Sequence, residues 1–498
     1  MTWNPLSETQ SVEAFADAVA AHVERGSRFA GLFGVAEGAG TRLIAVLARQ
    51  GGLDIEETVV RAGVDHYRSL VSRVPAAQWY EREIRDLFDL ASTRHVREPL
   101  VFPFAHDATR PRPGSGGDRA FVEPDLTPLR SYVRGEGVFT IPYGPVRSGV
   151  FESVEYIVET SGEDIHHLRA RFFYKHRGIE SRFEGQEVHD GVLLAERFEG
   201  VATVAHAIAY CSAIEAIAGV DVPTRANLVR VVHAELERIA NHLESTSRHC
   251  EAAGQAVAVA RMTLHKELVQ RLRARLCGSR FSRGVVVPGG VSSPSTFDVA
   301  ATRTHLDALE HAIRDDIELL MATPSFLDRL RGTGVLEATV AHARGALGPV
   351  GRGSGEIEDV RSSRPYGAYG RLDRPWAAPR SRGDALARQL VRDDEIASSF
   401  RLIVQALDLL NGMSDSEGRE WRVAVDVANG RSFGWAEAPQ GEVLYMIEIR
   451  EGRLARVKVR SASFHNLALL PLAFPNDILT DFAFIEASFG LSIAGAAG

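Results

Sequence analysis

The sequence predicts an α+β protein in which a small N-terminal α+β domain precedes a large, mainly α domain, a helix bundle bordered by β-hairpins. Three observations support this fold class. Strands and amphipathic helices alternate near the start, a Pro- and Gly-rich segment follows, and five long helical patterns come next. We place the domains at residues 1–104 and 131–498, joined by a linker over 105–130.

The N-terminal domain is predicted from two pairs of elements. The segments FAGLFGVAEG and TRLIAVLAR read as strands around a Gly-rich turn, and SVEAFADAVAAHVER and WYEREIRDLFDL read as helices. In the following segment, AHDATRPRPGSGGDRAFVEPDLTPLR, Pro, Gly and Asp accumulate and the apolar periodicity disappears. That change in composition indicates a linker.

The large domain begins with a predicted hairpin around the turn SGED and continues with helices. One helix is indicated by an apolar stripe that steps by three and four residues: Leu228, Val232, Leu236, Ile239 and Leu243. Similar patterns run over Gln186–Gly219, Gln255–Leu276, Thr296–Met321 and Gly383–Leu410. EVLYMIEI and RLARVKVR predict a last hairpin, and residues 461–498 are expected to form a loop-rich tail.

Composition excludes several classes of protein. With 57 basic and 65 acidic residues the net charge is −8, and Lys and Arg are not clustered, which argues against a nucleic-acid partner. No apolar run approaches the ~20 residues of a spanning helix, and the start lacks signal-peptide order, so we expect a cytoplasmic chain. The three cysteines form no C-x-x-C pair, so they predict buried thiols and not a Cys-ligated metal centre in this chain.

Charged residues inside apolar helical segments are the candidates for a site, because buried charges are costly unless they are paired or functional. Arg197, Glu199 and His206 interrupt one such segment. Further candidates are Glu235, Arg238 and His242, which share one face of a helix, and Arg352, Arg361 and Asp384. Spacing alone fits a salt-bridge network between helices as well as a site, and it identifies no reaction.

Several longer sequence motifs resemble those of a known family. HRGIE, AERFEGVATVAHAIAYCSAIEAIAGVDVPTRA, ELERIANHL, RFSRGVVVPGGV, GPVGRGSG and EAPQGE occur in that order. Over about residues 139–498 they resemble the family shared by the 49-kDa subunit of respiratory complex I and the large subunit of group 4 nickel-iron hydrogenases. Upstream, WYEREIRDLFDL followed by TRHVREPLVFP is similar to the 30-kDa complex I subunit, so the whole chain resembles the fused large subunit of formate hydrogenlyase.

The chain departs from the hydrogenase pattern at the nickel ligands. The resemblance implies two C-x-x-C pairs, because soft thiolates suit nickel. Their positions fall at Glu199 and Ala202 and at Ser492 and Gly495. The arginine of the EAPRG word becomes Gln440. We therefore expect no metal to be bound by this chain.

The quinone pattern of complex I is also altered. The tyrosine position of the family aligns with Gly200, and Arg147 stands where a hydrogenase histidine would be. His206 is kept from both branches. The resemblance implies that Arg197 faces the terminal [4Fe-4S] cluster of a partner subunit, and the histidine that tunes that cluster aligns with Ser282.

A proton route is one interpretation of the rebuilt pocket. A buried carboxylate such as Glu199 could relay protons, with Arg197 nearby opposing its neutralisation. Glu152, in VFES, and Glu180, in HRGIE, are further candidates. The alternative for Glu199 is a salt bridge that fills space, and the two interpretations stay open.

The resemblance implies a subunit of the peripheral arm of a membrane-bound oxidoreductase, at the inner face of the cell membrane. Expected partners are an iron-sulfur small subunit, a ferredoxin-like electron-transfer subunit and antiporter-like membrane subunits. Two alternatives remain: a non-redox structural or coupling subunit, and a quinone reductase subunit with altered headgroup contacts. No G-x-G-x-x-G follows a strand, so direct NAD binding is not expected.

Overall fold

A computed structural model describes residues 11–64, 66–93, 98–101, 131–147, 152–292, 298–378, 380–413 and 420–498 of the chain. The predicted linker over 105–130 lies outside these residues, so the domain boundaries remain a prediction. Within the described ranges, no helix is long and apolar enough to cross a membrane.

The N-terminal part contains the two predicted helices and the two predicted strands. Its elements are α1 (Val12–Glu24), β1 (Arg28–Glu37), β2 (Gly40–Arg49), β3 (Gly52–Val60), β4 (His66–Tyr67), α2 (Gln78–Phe88) and β5 (Ala91–Ser92). Strands β1, β2 and β3 form an antiparallel meander, of which β3 was not predicted. Ser11 begins α1, because its hydroxyl accepts the backbone N–H of Ala14.

The predicted hairpin around SGED is confirmed and forms part of a second antiparallel sheet. Its strands are β6 (Phe139–Tyr143), β7 (Glu155–Ser161) and β8 (Asp164–Arg171), in that order. The core of the first sheet continues into this one through residues such as Tyr156 and Leu168.

The middle of the chain is the predicted helix bundle. Its elements are α3 (Ile179–Phe183), α4 (Gly191–Phe198), α5 (Thr203–Ala218), α6 (Thr224–Ala252), α7 (Ala256–Cys277), β9 (Val286–Val287), β10 (Gly290–Val291), α8 (Val299–Met321), α9 (Pro324–Leu330), α10 (Ala338–Ala343), α11 (Gly348–Gly353), α12 (Val360–Ser363) and α13 (Ala385–Gly412). Helix α6 packs against α7 and α13, and α8 packs against the same two helices. Cys211 and Cys250 are buried and Cys277 is partly buried, as expected for unpaired thiols.

The prediction of one helix over 186–219 was wrong, because the chain breaks between α4 and α5. Glu199 adopts an extended conformation with φ −136° and ψ 111°. The carboxylate of Glu237, on α6, accepts the backbone N–H groups of Val204 and Ala205 in the first turn of α5. A helix can begin there because a distant side chain satisfies its free N–H groups.

A third antiparallel sheet separates two hydrophobic cores. Its strands are β11 (Gly430–Ala438), β12 (Gly441–Arg450) and β13 (Arg453–Arg460), of which β11 was not predicted. On the central strand, Val443, Tyr445 and Ile447 face the bundle, whereas Leu444 and Met446 face the N-terminal sheets. Strand β12 therefore turns Tyr445 toward α5.

The tail was predicted to be rich in loops, and this was wrong. It contains three short helices, α14 (Ala462–Leu467), α15 (Phe482–Phe489) and α16 (Ile493–Ala497). Their apolar side chains are buried almost all round, so they show little of the one-sided periodicity by which a surface helix is recognised. Helix α16 returns to the break between α4 and α5.

Candidate functional site

The break between α4 and α5 places a carboxylate at the centre of a buried hydrogen-bond network. Ser463 Oγ donates to Glu199 Oε1 over 2.6 Å, and Glu199 Oε2 lies 3.2 Å from His206 Nε2. His206 Nδ1 lies 2.8 Å from Tyr445 Oη. All four residues are buried, and Glu199 is 1% exposed. We name this set, Tyr445, His206, Glu199 and Ser463, the Glu199 network.

The donors and acceptors of the Glu199 network form a consistent series. The Tyr445 hydroxyl donates to His206 Nδ1, which leaves Nε2–H to donate to the carboxylate of Glu199. Phe198 stacks on the imidazole at 5.2 Å and completes its apolar surroundings. Burial, followed by the charge of Glu199, raises the pKa of Tyr445 well above its usual value, so the phenol stays protonated.

The four positions aligned with nickel ligands lie together, because α16 packs beside the loop that carries Glu199. Ala202 lies in the same loop, and its backbone N–H donates to the carbonyl of Glu199. Ser492 begins α16, and its N–H donates to Ser463 Oγ over 3.1 Å. A Cβ placed on Gly495 would lie 2.5 Å from Glu199 Cδ, so the glycine and the carboxylate are in contact.

This arrangement does not fit a nickel-iron centre. The four positions supply one carboxylate, one hydroxyl and no thiolate, whereas soft metals in such centres prefer thiolate ligands. The hydroxyl of Ser492 is engaged with Glu152 and with the N–H of Gly495. Across the described ranges, no three His, Cys, Asp or Glu side chains are grouped as metal ligands would be.

Glu152 lies at the N-terminus of α16 and not beside Glu199. Its carboxylate accepts the hydroxyl of Ser492 and the backbone N–H groups of Ile493 and Ala494. A carboxylate at this position accepts hydrogen bonds from the free N–H groups, and its negative charge interacts favourably with the positive end of the helix dipole. The backbone N–H of Ser492 connects this cap to Ser463, and an amide N–H does not pass protons on.

Glu180 lies in a pocket between α2, α3, β13 and the tail. It accepts Arg456 Nη2 and Lys458 Nζ, each over 2.8 Å, and the N–H of Val459. Burial alone would raise the pKa of Glu180, but Lys458 and Arg456 hold it well below its usual range. Lys458 also binds Glu83, on α2, over 2.6 Å.

Arg197 does not approach Glu199, contrary to the expectation that it would oppose neutralisation of that carboxylate. Its guanidinium is half exposed, donates to the carbonyl of Leu193 and lies 3.7 Å from Glu196. Glu196 in turn accepts the N–H of Gly284, in the loop that carries Ser282. Helix α4 and that loop are therefore joined at the surface.

Ser282 is buried, and its side chain points inward. Its hydroxyl lies 2.8 Å from His233 Nδ1 and accepts Arg273 Nε over 2.9 Å. Burial, reinforced by Arg273, lowers the pKa of His233 to about 3. Its neighbours Phe281 and Arg283 are exposed.

The charged face of α6 forms a buried salt-bridge network with its neighbours. Glu235 binds Arg238 at 3.1 Å and Arg361 at 3.0 Å, while His242 binds Glu395 of α13 at 2.8 Å. Burial would raise the pKa of Glu235, but Arg361 and Arg238 hold it at about 2. Further members are Arg352, which binds Glu395 and Glu437, and Asp359. Asp384 instead caps α13.

The structure also shows the surroundings of the altered quinone and arginine positions. Gly200, at the tyrosine position, has open space where a Cβ would stand. Arg147 forms a bidentate pair with Glu486 at 2.7 and 3.1 Å. The amide of Gln440 is buried, and its Nε2 lies 3.5 Å from the carbonyl of Gly490 in the tail.

Sequence reasoning missed Tyr445, Ser463, Glu83 and Lys458. Tyr445 is part of the apolar run of a central strand, and Ser463 lies in a short buried helix, so neither has a local signal. Lys458 shares one face of its strand with Arg456 and Arg460, as the alternation in RLARVKVR indicates, and nothing in that pattern shows that this face is buried.

Comparisons with known proteins identify the family of the chain. A family described as respiratory-chain NADH dehydrogenase, 49 Kd subunit, matches residues 253–496, and one described as nickel-dependent hydrogenase matches 177–244. The 30 Kd subunit family matches residues 8–103. The carbon monoxide-induced hydrogenase of Rhodospirillum rubrum is 31% identical over 70% of this chain and 96% of its own length. The chain belongs to this family of complex I 49-kDa subunits and hydrogenase large subunits.

Two further relatives represent other branches of the family. Formate hydrogenlyase subunit 5 of Escherichia coli is 27% identical over 86% of this chain and 76% of its own length. An NADH-quinone oxidoreductase subunit of Streptomyces griseus is 29% identical over 69% of this chain and 89% of its own length. The match to the 30 Kd family agrees with a fused N-terminal domain.

Proposed function

We propose that this chain is a peripheral-arm subunit of a membrane-bound, complex I-like or hydrogenase-related oxidoreductase and has no nickel-iron site of its own. It passes electrons, or redox-linked conformational change, between an iron-sulfur small subunit and ion-translocating, antiporter-like membrane subunits. A ferredoxin-like subunit supplies the electrons, and the [4Fe-4S] cluster belongs to the small subunit. The complex lies at the cytoplasmic face of the membrane.

The observation that carries this proposal is the identity of the residues at the four nickel-ligand positions. A carboxylate with two hydrogen-bond partners, Ser463 and His206, fills the space between them. Gly495 leaves no room for a further ligand beside it. These contacts support a pocket that holds no metal within a retained family framework.

The surface beside Arg197 supports docking of a small subunit. Leu193 and Val201 are 50% and 38% exposed, and Phe281 is 40% exposed. Apolar side chains next to an exposed arginine are typical of the buried centre of a protein interface. The pair formed by Glu196 and the N–H of Gly284 holds the two segments of this surface together.

The Glu199 network supports a role in moving protons near that interface. Glu199 and His206 are in direct hydrogen-bond contact, and a carboxylate and an imidazole in such contact can exchange a proton between them. Electron transfer in the neighbouring subunit changes the electrostatic field at this pair, and we propose that this field couples the two events.

The experiment that tests the proposal is purification of the native complex in mild detergent, with nickel and iron analysis and low-temperature paramagnetic resonance after reduction. We expect reducible iron-sulfur clusters and no nickel. Stoichiometric nickel would refute the interpretation of the four ligand positions. A complex that contains clusters but shows no redox activity at any potential would refute electron transfer.

Two other functions are decided by the same preparation. A complex without iron would indicate the non-redox structural or coupling subunit, to which the buried salt-bridge network between α6 and α13 is suited. A rise in the thermal unfolding midpoint with quinone-site inhibitors would indicate a quinone reductase, because ligands that bind the folded state stabilise it.

A further inference from the structure

A pocket lies where α2 of the N-terminal domain meets the large domain. Its wall includes Glu83 and Leu87 of α2, Glu180 of α3, Lys458 of β13, and Phe198 and Gly495 beside the Glu199 network. We name it the α2–β13 pocket. Both domains supply charged side chains to it, so its properties depend on how they are packed together.

The charges in the α2–β13 pocket are arranged around one ammonium group. Lys458 Nζ lies 2.6 Å from Glu83 Oε1 and 2.8 Å from Glu180 Oε1. Arg456 lies 2.8 Å from the other oxygen of Glu180. The two carboxylates therefore differ in their charged partners. Glu180 binds both Lys458 and Arg456, whereas Glu83 binds Lys458, which it shares with Glu180.

This inequality decides which carboxylate can bind a proton. Glu180 stays ionised, because Lys458 and Arg456 outweigh its burial. Burial is the largest influence on Glu83 and raises its pKa, opposed by Lys458 and reinforced by the charge of Glu180. Arg456 also opposes the rise in the pKa of Glu83. Within this set, Glu83 is the side chain that exchanges protons most readily.

Gly495 contacts both the pocket and Glu199. It lines the pocket, and a Cβ on it would lie 2.6 Å from Glu199 Oε2. The pocket and the carboxylate therefore meet at the same residue, and Phe198, which precedes Glu199, also lines the pocket. Water in a pocket with several polar groups can bring a proton to this point.

We infer that the α2–β13 pocket is a water-filled entrance through which protons reach Glu199, and that Glu83 of the N-terminal domain is its proton-binding group. A proton from solvent converts the Glu83 carboxylate to the neutral acid, and water passes one proton on toward Glu199, so that Glu83 is ionised again. No electron moves and no bond other than O–H is made or broken. The inference rests on the proposed function only for the destination of the proton.

Infrared difference spectroscopy of the intact complex during a pH titration tests this inference. Protonated carboxyl groups absorb apart from ionised ones, and we expect a band that Glu83→Gln removes. Lys458→Gln should move the titration of that band to higher pH, since it removes the cation that favours ionised Glu83. If Glu83→Gln leaves the spectrum unchanged, Glu83 does not bind the proton and the inference is wrong.

Access of water is tested separately by the rate at which the band shifts after transfer to D₂O. Leu87→Trp fills the pocket without changing a charge, and it should slow this exchange. Glu81 provides the matched control: it is buried on the same helix, its pKa is also raised by burial, and its partners Ser69 and Leu70 lie outside the pocket. The band lost in Glu81→Gln should exchange equally fast with and without Leu87→Trp.

If the Glu83 band exchanges equally fast in Leu87→Trp, the α2–β13 pocket is not the entrance for water, and the inference is wrong. If Glu83→Gln fails to assemble, the shift caused by Lys458→Gln identifies the band, and Leu87→Trp still decides. These readings require no electron transfer. A complex without redox activity would therefore refute the proposed function and leave the Glu83 result intact.

Discussion

The contact between Gly495 and Glu199 predicts a strong energetic coupling between the two positions. In Gly495→Ala, the new methyl group would meet Glu199 Cδ at 2.5 Å and Oε2 at 2.6 Å. The carboxylate cannot move aside freely, because Ser463 holds one oxygen at 2.6 Å and His206 the other at 3.2 Å. Overpacking of this kind costs about 1–3 kcal/mol. The higher helix propensity of alanine offsets at most about 1 kcal/mol.

The double variant separates this contact from other effects. Glu199→Ala alone leaves Ser463 and His206 without their buried acceptor, which costs about 1–3 kcal/mol. In the Glu199→Ala background the methyl group at position 495 enters the space of the lost carboxylate. The double variant should therefore be more stable than the sum of the single effects predicts, by about 1–3 kcal/mol.

The assay is the thermal unfolding midpoint of the purified complex, measured for both single variants and the double variant. One kcal/mol lowers the midpoint by about 2–4 °C in a domain of 150–250 residues, and by less in a larger chain. Gly200→Ala is the matched control, because a Cβ there meets no atom within 4 Å. It should leave the midpoint nearly unchanged. If the effects of Gly495→Ala and Glu199→Ala on the midpoint simply add in the double variant, the contact between residues 495 and 199 is refuted.

Three further predictions concern the surroundings of the site. Ser463→Ala removes the donor to Glu199 and the acceptor for the N–H of Ser492, so it should cost about 1–3 kcal/mol in stability, with calorimetry as the measurement. Lys458→Met leaves the buried carboxylate of Glu83 without its cation and Glu180 with Arg456 alone, so it should cost about 3–5 kcal/mol. Lys266→Met breaks a pair with Glu244 in which the two side chains are 29% and 30% exposed, and it should cost less than about 1 kcal/mol. Equal effects of these two lysine variants on the unfolding midpoint would contradict the burial of the pocket charges. Burial, followed by Arg460 and Arg28, lowers the pKa of His465 to about 3, so its contribution to stability is complete above about pH 6.5 and is lost as the pH falls toward 3. His465→Gln should reduce the loss of stability in acid, and an unchanged pH profile would show that the imidazole does not remain neutral.

Much of the fold could be predicted because its elements show a local pattern. The stripe from Leu228 to Leu243 predicted α6, and the alternation around SGED predicted the second sheet. The break between α4 and α5 could not be found in this way, since Glu237 lies more than thirty residues beyond it and supplies the acceptor that lets α5 begin. A long-range hydrogen bond here overrides a continuous apolar pattern.

The site was partly predictable for a different reason. Glu199, Ala202, Ser492 and Gly495 align with the four nickel ligands of the family, which indicates that they lie close together. Ser463, which donates to Glu199, and Tyr445, which binds His206, were not predictable, because they follow no spacing rule relative to Glu199. Arg197 shows the opposite error: two residues from Glu199 in sequence, it points away to the surface because α4 ends between them.

The substitutions at positions 199 and 495 are physically dependent on each other. A glutamate side chain is longer than the cysteine expected at position 199, and it reaches Ser463 only by passing the backbone of residue 495. Any side chain at residue 495 would block it. Gly495 also lines the α2–β13 pocket, in which Lys458 and Glu83 form an ion pair. Gly495→Cys alone should therefore destabilise the chain and not recover a metal ligand, because the carboxylate of Glu199 occupies the space that the thiolate needs.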